Sequence, residues 1–64
     1  MEGIIRLMSD IEAKCWQRFK YNEIEGCNDL SWVYNRLAIE LDMPERLELR
    51  YSHELKAWSL DKEY

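Results

Sequence analysis

The stretch Arg46-Leu-Glu-Leu-Arg-Tyr-Ser-His-Glu-Leu-Lys-Ala-Trp-Ser-Leu-Asp61 decides the fold. Folded about residues 52–55 as a four-residue loop, it sets Leu49 opposite Trp58, Leu47 opposite Leu60 and Arg50 opposite Ala57. Glu48 then faces Ser59, and Arg46 faces Asp61. Side chains alternate along a strand with period two. One face therefore collects Leu47, Leu49, Tyr51, Trp58 and Leu60, while the other is polar apart from Ala57. A hairpin with one buried face requires that division. The competing reading is a third helix opened by Pro44, with Leu47, Tyr51, Leu55 and Trp58 as its stripe. The residues are good helix formers, and no Gly, Asn or Asp marks a tight turn. That helix, however, leaves Leu49 and Leu60 off its stripe, whereas the hairpin places every large apolar residue except Leu55. Ser52 suits the first position of a type I turn, which needs no glycine. The hairpin is preferred, and a three-helix bundle is the alternative.

Two strands alone are barely stable in water, so the upstream chain must cover them. Ile4, Met8, Ile11, Cys15 and Phe19 recur at helical spacing, widened by Leu7 and Trp16. Ser9 and Glu12 fit a capping box. The spacing predicts a helix over about 10–21, which could start at residue 3 and reach 25. Residues 3–8 are either its first turns or a third strand. Gly26-Cys-Asn-Asp29 reads as a short inter-helix loop, with Gly26 ending the first helix and Asn28 or Asp29 capping the second. Leu30, Val33, Tyr34, Leu37, Ala38 and Leu41 mark a second helix over about 30–42, and Pro44 stops it. Residues 1–64 thus read as one α+β domain, an antiparallel helix pair on a C-terminal hairpin.

A chain of 64 residues is marginally stable unless disulfides, a metal, self-association or dense packing help. Three Trp, four Tyr and one Phe favour dense packing or a homodimer. Thirteen acidic and nine basic residues leave a net charge of −4 with no basic run, which argues against nucleic acid as the direct partner. The N-terminus carries Glu2 and lacks the apolar core of a signal peptide. No run approaches the roughly 18 apolar residues of a membrane span. The expected location is the cytoplasm, where the two cysteines stay reduced.

Catalytic chemistry is hard to find. There is no glycine-rich phosphate loop and no metalloprotease or zinc-finger spacing. Cys15, Cys27 and His53 match no compact metal-ligand motif. Cys15 lies on the helical stripe and reads as core. Cys27 reads as exposed in a polar loop, near a helix N-terminus that would lower its pKa. His53 reads as a solvated turn residue. So short a chain also has little material to enclose a substrate pocket of a few hundred Å3 or more. The expectation is a protein that is not an enzyme and has no metal or cofactor.

The functional hint is a second stripe on the second helix. Trp32, Ile39 and Met43, with Arg36 between them, lie away from the Leu30–Leu41 face. Trp, Met and Arg are enriched at interfaces and hot spots. The stripe is therefore internal core, a homodimer contact or a partner surface. Glu23, Glu25 and Asp29 cluster at the inter-helix loop, either as a solvated end or as an electronegative knob for a basic groove. Glu40, Asp42, Glu45 and Glu48 would extend that knob.

The run from Asn35 to Pro44 resembles the front half of a helix-turn-helix, with Ala38 before Leu41 and Met43 and with Asp42 where the motif usually has Gly. That resemblance implies a dimeric DNA-binding regulator, but Glu45, Glu48 and Glu54 would then face phosphates. In size, acidity and aromatic content the chain resembles the small accessory proteins of phages and other mobile elements. This resemblance implies a protein that inhibits or modulates a host protein, such as a defence nuclease. The leading expectation is a non-enzymatic protein-binding module that touches its partner through Trp32, Arg36, Ile39 and Met43, with Glu23, Glu25 and Asp29 as a second patch.

Overall fold

Two helices and a hairpin follow one another along residues 2–64, the part of the chain that the computed structural model describes. They are α1 (Glu2–Lys20), α2 (Ile24–Glu40), β1 (Arg46–Ser52) and β2 (Ala57–Glu63). The α+β reading holds: the helix pair packs on an antiparallel two-stranded sheet. Residues 3–8 belong to α1, which runs unbroken through Ser9, so neither a third strand nor a helix start at Ser9 forms. Met8 is buried at the position that the helical stripe assigns to it, whereas Ile4 and Leu7 of the expected stripe are exposed. The third helix of the bundle alternative is also absent, because Arg46–Ser52 is extended. The recognition helix of the helix-turn-helix reading is lost with it.

The inter-helix connection lies earlier than Gly26. Asn22 adopts a left-handed backbone with φ of 60°. The Asn22 amide donates to the Phe19 carbonyl at 3.0 Å, and the Glu23 amide donates to the Arg18 carbonyl at 2.8 Å. This pair of bonds is the Schellman termination, with asparagine where glycine is usual. α2 therefore starts at Ile24, and Gly26, Cys27, Asn28 and Asp29 are helical rather than loop. The C-terminal end of α2 repeats the device. Asp42 has φ of 55°, its amide donates to Ile39 at 3.1 Å, and the Met43 amide donates to Ala38 at 2.8 Å.

In the hairpin, Leu49 pairs with Leu60, Tyr51 with Trp58 and Leu47 with Lys62. The expected register is off by two residues, and the loop is 53–56 rather than 52–55. A slip of two preserves the faces, so Leu47, Leu49, Tyr51, Trp58 and Leu60 still share one side. The Ser52 hydroxyl accepts the Leu55 amide at 3.1 Å, and Lys56 closes the loop with φ of 53°. The observed register brings the Tyr51 and Trp58 rings to 5.1 Å in an edge-on pair, an arrangement favourable by about 0.5–1.5 kcal/mol.

α2 is the central element, packed on α1 on one side and on β1 on the other. The core unites Met8 and Cys15 from α1, Cys27, Tyr34 and Ala38 from α2, and Leu47 and Leu60 from the hairpin. Helical cover fades toward the hairpin loop, where Tyr51 and Trp58 are each 41% exposed.

Candidate functional site

Leu30, Leu37 and Leu41 of α2 pack against the core, and the Trp32 side of the helix stays outside. Trp32 is 67% exposed and Ile39 55%. With exposed Arg36 they occupy one face of α2 at i, i+4 and i+7. Arg36 Nη2 sits 3.2 Å from Glu40 Oε1 on the same face, an exposed helical pair worth about 0.3–0.5 kcal/mol. Met43 does not join this face. It lies beyond the helix end and packs against the core. Val33, expected in the core, is exposed instead.

Between α2 and β1 lies a groove of about 490 Å3, with Asp29, Trp32, Val33, Leu47, Glu48 and Leu49 among its lining. Its size falls within the usual range for ligand sites, larger than expected for so short a chain, but it is an open groove and not an enclosed pocket. The groove opens because β1 leaves the end of α2 and runs back beside it, and the Asn35 side chain is hydrogen-bonded across the gap. Asn35 Oδ1 accepts the Leu47 amide at 2.7 Å, and Asn35 Nδ2 donates to the Leu47 carbonyl at 2.9 Å. A side-chain amide thus takes the place of a neighbouring strand. Both backbone groups of Leu47 therefore point away from β2. Alternation along the strand turns the N–H and C=O of Leu49 and Tyr51 to the same outer edge. Among the described residues they have no hydrogen-bond partner there. The sequence did carry one signal for Asn35: a poor helix former in mid-helix needs a reason to be there.

The expected acidic cluster divides. Glu23 pairs with Arg18 at the helix junction. Glu25 is exposed in the first turn of α2, where a carboxylate suits the helix dipole. Asp29 alone of the three reaches the groove, together with Glu48. Among the described residues neither Asp29 nor Glu48 has an ion-pair partner.

Both cysteines are free and buried. Cys27, expected to be exposed, is fully buried against Cys15, with the two sulfurs 3.4 Å apart. The Cys15 thiol also lies 3.3 Å from the Cys27 carbonyl, to which it donates. Burial first, then the hydrogen bond with Cys27, push the Cys15 thiol up to about 12. A thiol held protonated is a poor nucleophile and a poor metal ligand. His53 rests its ring edge-on to Tyr51 at 4.9 Å in the hairpin loop. No group of three or more His, Cys, Asp or Glu among the described residues is placed to hold a metal ion.

A smaller cavity of about 280 Å3 lies between α1 and β2, beside Met43, Tyr34 and Glu45. Lys62 Nζ meets Glu12 Oε1 there at 3.0 Å. That hydrogen bond outweighs partial burial and raises the lysine pKa. Burial raises the Tyr34 phenol as well, against the pull of Lys62. Among the described residues Glu45 Oε2 is buried without a hydrogen-bond partner. Among the described residues no helix is long and apolar enough to cross a membrane. Comparison of the chain with protein-family models, with curated proteins and with solved structures finds no match.

Proposed function

We propose that this chain is a non-enzymatic protein-binding module that meets its partner through the outer face of α2 and the groove beside β1. The observation that carries the reading is Trp32, two-thirds exposed on the wall of a groove in so small a fold. A large aromatic ring in water gains most when a partner covers it, and Trp and Arg dominate interface hot spots. Arg36 and Ile39 extend the same surface. The resemblance in size and composition to mobile-element accessory proteins supports a host protein as the partner, a defence nuclease for example. It also supports inhibition or modulation as the outcome and the cytoplasm as the place.

The test is Trp32→Ala combined with Arg36→Ala. Both side chains are exposed, so the circular dichroism spectrum should not change. Affinity for a partner identified from the native host should fall by about thirtyfold or more, the effect of losing a hot spot of roughly 2 kcal/mol. Undiminished binding by a folded double variant would refute the proposal.

A further inference from the structure

We infer that the groove receives an extended peptide segment, which adds to β1 as a further strand and carries basic side chains. The inference rests on the protein-binding reading and specifies the chemistry of the partner. The free edge of β1 supplies the first argument. The N–H and C=O of Leu49 and Tyr51 face outward with no partner beyond the hairpin among the described residues, and such an edge is a template for strand addition. Asn35 supplies the second. Its side chain already makes, at Leu47, the two-bond pair that an added strand would make. A chain entering beyond Asn35 continues the same ladder at Leu49 and Tyr51.

The groove walls supply the third. Recognition by strand addition combines main-chain bonds for affinity with side-chain pockets for specificity. Here α2 runs beside the free edge and presents Trp32 and Val33 to alternate side chains of the incoming segment. Charge selects the segment. Asp29 and Glu48 line the groove without ionic partners among the described residues, and no Lys or Arg lines it. A Lys or Arg turned toward α2 finds Asp29 and the Trp32 face as a cation–π surface, and one turned to the opposite face of the sheet lies on the side of Glu48. An acidic segment is repelled.

Three synthetic peptides test this: an alternating lysine–valine peptide, its glutamate–valine counterpart, and the lysine–valine peptide N-methylated on the backbone. Binding to the full chain is followed by amide NMR and hydrogen exchange. Saturation with the lysine–valine peptide should slow exchange of the Leu49 and Tyr51 amides by about tenfold or more. Asp29→Asn with Glu48→Gln should weaken binding by about tenfold, with the Leu47 amide still protected by Asn35 as the sign of an intact fold. Added salt should weaken it further. The inference is overturned if the lysine–valine peptide does not bind, if the glutamate–valine or N-methylated peptide binds equally well, or if bound peptide leaves Leu49 and Tyr51 unprotected. Protection that grows with protein concentration and needs no peptide also overturns it, since a second copy then occupies the edge. Any of these results, together with partner capture that still depends on Trp32, ends strand addition alone. Loss of the Trp32 dependence ends the binding-module reading as well.

Discussion

Cys15 and Cys27 sit where α1 crosses α2, with their sulfurs 3.4 Å apart and both side chains closed to solvent. Small side chains at a crossing let two helix axes approach, and a thiol packs as a small apolar group. Cys15 was legible because it falls on the spacing of Ile4, Met8, Ile11 and Phe19. Cys27 was not, because Gly26 looked like a helix stop and so moved its neighbour into a loop. The burial is testable with a thiol-reactive dye. The native protein should consume almost none over minutes, and denaturant should release both thiols to react. A native chain that reacts promptly at Cys27 would place that residue at the surface.

At the scale of elements, the hairpin was readable because its evidence survives a shift. Period-two alternation gives the same buried face for any register that differs by two residues, so Leu47, Leu49 and Leu60 were placed correctly although their partners were not. The register depends on features that strand periodicity does not carry: the Ser52–Leu55 bond, the left-handed Lys56 and the Tyr51–Trp58 pair. The face of Trp32, Arg36 and Ile39 was legible from helical spacing. The groove beside it was not, since it exists only through the path of β1 relative to α2. The start of α2 was misplaced because asparagine can adopt the left-handed conformation that glycine was expected to supply. This correction has a sign that can be measured. Gly26 is helical, and a Cβ there would meet the Arg18 side chain at 3.6 Å, ordinary contact. Gly26→Ala should therefore stabilise the protein by about 0.5–1 kcal/mol and raise the thermal midpoint by roughly 3–6 °C. If Gly26 ended a helix in a left-handed conformation, the same substitution would lower it.

At the scale of the whole molecule, the Cα trace of the described residues spans 40 × 20 × 13 Å, and among them seven buried hydrophobic side chains form the core. A chain of this size has only about 3–5 kcal/mol of stability from such a core, so small ionisation terms decide where it unfolds. Three groups act in the same direction. The Cys15 thiol, ordinarily near 9.0, is pushed up to about 12 by burial and by Cys27. Tyr34 is raised above 10.0 by burial, and Lys62 above 10.5 by its hydrogen bond to Glu12. In each case the folded state holds the proton more tightly than the unfolded chain. The associated stability is present below the unfolded pKa and is lost as pH climbs through the folded one. Cys15 opens that window near pH 9, and Tyr34 and Lys62 continue it. A separation of one pKa unit corresponds to about 1.36 kcal/mol, a large share of the total. The thermal midpoint should stay level from about pH 7 to 8.5 and fall by several degrees by about pH 10.5. Cys15→Ala should have a lower midpoint at neutral pH but a shallower slope just above pH 9, because the first group to titrate is gone. If the variant and the parent lose stability in parallel across that interval, the alkaline limb does not arise from Cys15, and the buried thiol pair contributes packing alone.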